Sequence, residues 1–504
     1  MKISGPVLDR NKPEIIAKLA AIAPRIAKKD PNIWGVKSEA ATRLDWIDLP
    51  TRSRDLLPQL DALSAWARSN KLTHIVLCGM GGSSLAPEVI AATYKKELTV
   101  LDATDPAQIS NSIPKDLNKA VIVIASKSGG TIETQSQFKF YQKIFLDSNL
   151  NPTDHIVIIT DPATVLDKSA RSGGFRVINA EPNVGGRFSA LSAFGLVPAA
   201  LVGVDISILL DDAEKASRKF LSEDSPAISI AAALFSATDQ IISFCDKNSN
   251  TPGLSDWIEQ LIAESTGKDQ TGRLPVVIDE PAKEHTGLSV GFVKGDFDLV
   301  IEASLGEQFI LWEWVTALLC HLLDVDPFNQ PNVTEAKDRT AKILSDLDKG
   351  NFIIPKPTYE DADLAIYSNT SVKSLTDFVK TPATYFAVMA YLTRGSDDEI
   401  AKLQPLIFSK SKRATTFGWG PRFLHSTGQF HQGGQQNGAF IQITGESKDD
   451  IKIPGENYSF SQLIMAQALG DAAALSERNL PLIRIHLKNR KEGIAKLLAE
   501  IKKN

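Results

Sequence analysis

Cysteine is scarce in this chain: Cys78, Cys245 and Cys320 are the three among 504 residues, and they stand far apart and cannot all pair. That excludes a disulfide framework, and their spacing matches no metal-ligand pattern, so a reducing compartment is expected. An excess of one charge is lacking too. Lys and Arg number 55 against 60 Asp and Glu, a formal charge of -5, which leaves no positive surplus to track a phosphate backbone. Nucleic acid is not an expected partner. Long apolar runs are also missing: the uncharged, apolar-rich stretch of residues 188–204 holds Pro198 and two serines and falls short of the ~20 residues a membrane span needs. Residues 1–20 carry charges throughout and contain no apolar leader core. No membrane partner is expected, and the reading is a cytoplasmic protein. The P-loop pattern G-x-x-x-x-G-K-[ST] is absent as well. At 43% hydrophobic and 23% charged, what remains is a globular chain of two or three domains at roughly 150 residues each.

Residues 1–70 read as a helical arm, with Ile15, Ile16 and Leu19 at helical spacing and little strand signal. From Thr73 the pattern changes to short β-branched runs alternating with longer amphipathic ones: HIVLC (74–78), LTVLD (98–102), AVIVIAS (120–126), HIVIIT (155–160) and FRVIN (175–179). This alternation predicts an α/β domain over 71–205 built on a parallel, doubly wound sheet. A second, less regular α/β domain with helical insertions is predicted over 206–504. Its strand-like runs are PVVID (275–279), DLVIE (298–302), DLAIY (363–367), ATTFG (414–418), AFIQIT (439–444) and LIRIHL (482–487). No Gly/Pro/Ser-rich hinge marks the boundary near 205.

The first strand runs straight into Gly79-Met80-Gly81-Gly82-Ser83-Ser84 and then into a helix starting LAPEVIAA. A glycine-rich turn at a helix N-terminus leaves backbone N–H groups aimed outward, where they attract an anion. A dinucleotide fold is one explanation, and Asp102, ending the next strand, stands where a ribose-binding acid would. Ser84, however, occupies the third glycine position of G-x-G-x-x-G. The third strand decides the matter, because it too ends in such a turn: Ser126-Lys127-Ser128-Gly129-Gly130-Thr131, before a helix beginning Ile132-Glu133-Thr134. Hydroxyls, an ammonium group and consecutive flexible amides around a helix start suit a phosphate monoester. Both turns are expected at the carboxyl edge of one parallel sheet, so the predicted ligand is small and phosphorylated.

The blocks GMGGSSLAPE (79–88), SKSGGTIET (126–134), NVGGRFSALSAFGL (183–196) and AESTGKDQTGRLPV (263–276) resemble the sugar isomerase (SIS) fold and, more narrowly, the glucose-6-phosphate isomerase family. PFNQPNVTEAK (327–337) and GPRFLHSTGQFHQGG (420–434) resemble the form of that family found fused to transaldolase. The resemblance implies an α/β fold of two SIS-type domains with parallel doubly wound sheets beside the helical N-terminal arm, the phosphate being bound by the first of them. It further implies interconversion of D-glucose 6-phosphate and D-fructose 6-phosphate, by ring opening and proton transfer through a cis-enediolate, in glycolysis and gluconeogenesis. A sugar phosphate is the implied small-molecule partner, with no cofactor and no metal, and the family's homodimer is the assembly to expect. Ser126, Lys127, Ser128 and Thr131, assisted by Gly81, Gly82 and Ser83, are implied to hold the phosphate, with Gln330 near it. Glu264 is implied as the proton-transfer base, Arg187 as the group beside the enediolate oxygens, and His425 with Lys337 as the ring-opening pair. Asn329 stands where the family has Asp, Pro331-Asn332 and Thr334 also differ, and the Lys337 block precedes the His425 block, the reverse of the usual order.

The chemistry of these residues fits the roles. One base suffices to move a proton between C1 and C2 of an opened sugar, and Glu264 closes the helical pattern of Leu254, Trp257, Ile258, Leu261 and Ile262, with Gly267 as the stop. Arg187 offers a planar, permanent charge to the enediolate oxygens. Lys337 lies one turn after Val333, at the edge of an apolar stripe with Ala336, Ile343 and Leu347. His425, in a Gly-flanked loop with His431 close by, can exchange protons with a hydroxyl and the ring oxygen. No carboxylate or cysteine stands at ligand spacing from that histidine pair. A dual phosphoglucose/phosphomannose isomerase and a non-catalytic SIS sensor of fructose 6-phosphate are the alternatives, and a sensor needs the cradle but neither Glu264 nor Arg187.

Overall fold

A parallel sheet covered by helices on both faces demands strands that are apolar on both faces, and the runs between residues 74 and 179 meet that demand. The computed structural model describes residues 1–280, 286–348 and 356–503, and the side chains of residues 333, 334, 336, 337, 347 and 348 lie outside that description. In the first sheet the strands lie in the order Thr99–Leu101, His74–Gly79, Ala120–Ala125, Ile156–Thr160 and Arg176–Asn179, all parallel. Every residue of Ala120–Ala125 and Ile156–Thr160 is buried. From His74–Gly79 the chain moves outward on one side to Thr99–Leu101, then crosses to Ala120–Ala125 on the other. That reversal opens a crevice at the carboxyl ends of two adjacent strands, where Gly79 faces Ala125 across the ladder.

Two further sheets follow. One orders Lys2–Ser4, Leu299–Glu302, Leu288–Gly291, Ile241–Cys245 and Leu274–Val277, with the first pair antiparallel and the rest parallel. The other orders Tyr359–Glu360, Leu364–Ser368, Leu482–Leu487, Gly438–Gly445, Tyr385–Tyr391 and Ala414–Trp419, and its last four strands are parallel. The strand-like runs beyond residue 206 thus divide between two sheets, with the helices Leu305–Leu323 and Pro331–Asp348 between them in the chain. The residues 1–70, which read as wholly helical, also contribute the edge strand Lys2–Ser4.

The arm's helix Pro13–Ala27 buries Leu19, Ile22, Ala23 and Ile26, an i, i+3, i+4, i+7 stripe. Beyond it, Trp46 sits against Phe188 and Trp314, with ring centroids 5.3 and 5.7 Å apart. Phe188 in turn meets Phe328 at 5.3 Å, so aromatic packing from the arm braces the segments on either side of Arg187. Helix Leu305–Leu323 is buried on all its faces and carries Glu313, whose two carboxylate oxygens have no partner among the described residues. Burial pushes that carboxyl well above the usual range. The folded protein therefore keeps Glu313 protonated while the unfolded chain ionises it, and stability is lost as the pH rises above the ordinary carboxylate value. Glu313→Met is expected to stabilise the protein by about 1–3 kcal/mol at pH 8 and by less at pH 4, as read from urea unfolding at the two pH values.

Candidate active site

The strand His74–Gly79 passes into the tight turn Gly81–Ser83 and the helix Leu85–Thr93, and Ala120–Ala125 passes through residues 126–131 into Ile132–Asp147. Around the second turn, Ser126 Oγ donates to Thr131 Oγ1 at 3.0 Å, and the Gly130 N–H donates to Ser128 Oγ at 3.3 Å. Gly129 adopts φ +70°, the left-handed conformation that lets the loop fold over. Thr131 caps the helix position with extended backbone and makes no side-chain cap bond, so the hydroxyl is turned from its own helix. Lys127 is placed differently from the cradle reading of its neighbours. Its ammonium lies 2.8 and 2.6 Å from the two oxygens of Asp161 and also donates to the carbonyls of Glu181 and Pro182.

The glycines of the first turn are contact points between chain segments. Gly81 has φ +54°, and a Cβ there would lie 2.8 Å from both Gln260 Nε2 and the His425 carbonyl. On Gly82 a Cβ would lie 2.0 Å from the Gly186 carbonyl oxygen, backbone against backbone. Gly82→Ala is thus expected to push the turn off the Arg187 segment, costing about 1–3 kcal/mol in urea unfolding. An unchanged unfolding midpoint would show that the close approach is not needed.

That close approach assembles a buried polar cluster. Arg187 Nη1 lies 3.3 Å from Glu264 Oε1, and both side chains are nearly inaccessible, at 4% and 6%. Arg187 Nη2 donates to the carbonyls of Phe328 and Asn329 at 3.0 and 2.9 Å, while its Nε is buried with no partner among the described residues. Helix Leu254–Thr266 ends at Gly267 where the spacing placed it, and it carries Gln260 one turn before Glu264. Gln260 Nε2 donates to Glu264 Oε2 at 3.1 Å and to the His425 carbonyl at 2.9 Å, tying base, helix and histidine loop together. The His425 Nε2 lies 3.0 Å from Glu133 Oε1, which also accepts from Gln467 Nε2 at 2.7 Å. His425, Glu133, Gln467, Gly130 and Thr131 line one cavity of 260 Å³. The second glycine turn and the histidine loop therefore share a space, and Gln260 links that loop to Glu264.

Other residues singled out in the sequence fall around this cluster. Gln330 is exposed, directly after the Asn329 carbonyl that Arg187 holds. Lys337 is on the helix Pro331–Asp348, and its side chain lies outside the described residues. His431 is buried, stacks on Tyr385 with centroids 5.8 Å apart, and shares a 3.1 Å hydrogen bond with its hydroxyl; burial pushes this imidazole down to about 3, so it stays neutral. Asp102 is buried and sits 3.1 Å from Arg422 Nη1, which occupies the acid that a ribose would need. Glu133, Gln260, Gln467 and Asp161 had been given no role in the sequence. Only Gln260 had a local signal, its one-turn spacing from Glu264. Lys268, two residues past the end of that helix, is likewise buried and donates to the Asp326 carbonyl, and burial beside Arg187 pushes its ammonium down to about 7.

The architecture is an α/β fold of parallel sheets, the class to which solved sugar isomerases belong. The solved glucose-6-phosphate isomerase of Chlamydia trachomatis D/UW-3/Cx has the same fold, with a TM-score of 0.51 over 67% of this chain and 84% of that chain at 17% identity. Within that class the chain is similar to phosphoglucose isomerase, whose family model matches residues 51–272. The glucose-6-phosphate isomerase of Cyanothece sp. (strain PCC 7425 / ATCC 29141) is 32% identical over 276 residues, 50% of this chain and 51% of that protein. The probable glucose-6-phosphate isomerase of Haloquadratum walsbyi (strain DSM 16790 / HBSQ001) is 30% identical over 233 residues, 43% of this chain and 53% of the relative. The chain thus spans about half the length of these curated relatives. The matched residues include the two glycine turns, Arg187 and Glu264, whereas His425 and Lys337 lie beyond residue 272.

Proposed function

We propose that the chain interconverts D-glucose 6-phosphate and D-fructose 6-phosphate. The observation that carries this reading is the buried Arg187–Glu264 pair, joined through Gln260 to a histidine that shares a cavity with Thr131. The hydroxyls of Ser126, Ser128 and Thr131 and the amides at the start of helix Ile132–Asp147 hold the phosphate, with the Gly81-Gly82-Ser83 turn beside them. Lys127, committed to Asp161, shapes the loop and adds its charge from behind. Gln330 closes over the phosphate from the loop that Arg187 clamps.

A carboxylate accepts hydrogen bonds and cannot donate them, so with Glu133 ionised the His425 Nε2 carries the hydrogen and Nδ1 is left to accept one. Nδ1 takes the proton of the sugar's anomeric hydroxyl and Lys337 assists at the ring oxygen, which opens the ring. Glu264 then moves a proton between C1 and C2. Negative charge builds on the enediolate oxygens next to Arg187, whose unpartnered Nε is a donor left available to them. The reducing setting that the three buried free cysteines fit is cytoplasmic, and the working unit is a homodimer. The reading is tested by supplying fructose 6-phosphate to the purified protein with glucose-6-phosphate dehydrogenase and NADP. NADPH formation that depends on this chain supports it, and none at micromolar enzyme rejects it.

A further inference from the structure

Against the other side of the His425 loop lies a second cavity, of 400 Å³, which the isomerase reading leaves unused. The helix Leu85–Thr93, the first turns of Leu254–Thr266 and the end of the strand Ala414–Trp419 form its walls. Asp256 and Glu259, three residues apart on one helix face, both line it. Glu259 is 8% exposed whereas Asp256 is exposed, and among the described residues neither carboxylate has a hydrogen-bond or ion-pair partner. The remaining charges of the wall are already matched: Arg394 pairs with Glu88, and Arg422 lies 3.0 Å from Glu88 and 3.1 Å from Asp102. Two acidic groups are left over beside the rings of Phe417 and Trp419, which meet edge to face at 5.1 Å.

A buried carboxylate without a partner, such as Glu259, is costly, and desolvation keeps a proton on it. Desolvation by the cavity wall pushes Asp256 up to about 6 against the pull of Arg422 and Arg394, with Asp246 and Glu88 adding to the rise, and Glu259, the more buried of the two, stands well above the usual range. A ligand that completes this wall carries positive charge opposite the two carboxylates and an apolar body against the aromatic rings and Val89. We propose that the cavity is a binding site for a small organic cation of the linear diamine class, with one ammonium group on Asp256 and the other on Glu259. Among the described residues no grouping is suited to holding a metal ion, and the volume matches a small molecule.

The test is calorimetric titration of the full chain with putrescine, butylamine, butanediol and magnesium chloride in parallel. Putrescine is expected to bind saturably at pH 8, butylamine at least about tenfold more weakly for want of one charge-assisted contact, and butanediol not at all. Because the diamine displaces protons from Asp256 and Glu259, its affinity should fall at pH 5, and its heat should vary with the ionisation enthalpy of the buffer. D256N/E259Q should abolish the putrescine signal; if circular dichroism shows that this variant does not fold, E259Q alone serves and should weaken it at least about tenfold. Equal binding by the variant, equal binding of butanediol, or tighter binding of magnesium overturns the proposal. So does a concentration-dependent dimer in sedimentation that D256N/E259Q dissolves, since a basic side chain of a second copy would then be the occupant. No isomerase measurement enters this test, and its outcome is independent of the function proposed above.

Discussion

Glu264→Gln is expected to lower kcat by at least about 10²-fold while leaving sugar-phosphate binding close to unchanged. The substitution keeps the shape of the side chain and removes its ability to carry a proton. An amide oxygen can still accept from Gln260 Nε2, which now lies 3.1 Å from the carboxylate, so the helix and the histidine loop stay tied. The proposed phosphate cradle belongs to another part of the chain, at residues 126–131, and is untouched. Measured in the coupled assay, with binding followed separately by calorimetry on fructose 6-phosphate, the variant separates chemistry from recognition. Normal turnover would remove Glu264 from the base role; lost binding with lost turnover would make it part of the cradle instead.

Arg187→Met is expected to fail in two ways at once. It removes the positive charge facing the enediolate, which by analogy with other preorganised donors is worth about 10²–10³ in kcat. It also leaves Glu264 buried without its counter-charge, held only by the Gln260 amide among the described residues, and takes the donor from the Phe328 and Asn329 carbonyls, and breaking a buried pair from one side costs about 3–5 kcal/mol. Arg187→Lys restores charge without the planar fork that reaches the carboxylate and both carbonyls, so it should recover stability more than rate. The double variant Arg187→Met/Glu264→Gln should lose less stability than the two single losses added together, because the second change neutralises the charge that the first had stranded. Urea unfolding of the four proteins measures this, and simple additivity would show that the two groups do not interact.

These two residues also mark how far local patterns reach. The runs at 74–78, 120–126 and 155–160 all became strands, and Gly267 did end the helix of Glu264, because β-branched runs and helix stops act through neighbouring residues. Tyr385–Tyr391 escaped notice. It is buried along its whole length, yet its run YFAVMAY holds one β-branched residue, Val388, and does not alternate. The strand Lys2–Ser4 exists because Leu299–Glu302 offers it an edge, and nothing within residues 1–70 announces that partner.

In the site the same divide runs through single side chains. The glycine-rich turn at residues 126–131 was legible from its hydroxyls and glycines, but the ammonium of Lys127 turns to Asp161, and no signal in the turn itself says so. Glu133 stood inside a recognised block, and its bond to His425 became visible only with the two loops side by side.

By itself, then, the sequence determined most of the strands and helix ends, the places of the two glycine-rich turns, and the identity of the charged groups on hand. Periodicity, glycine conformation and helix ends are settled within a few residues of chain. Tertiary structure alone decided which charges meet, since Lys127 and Asp161 are 34 positions apart and His425 and Glu133 are 292. Such pairs form only after the apolar core has drawn distant segments together and excluded the water that would otherwise solvate each charge separately.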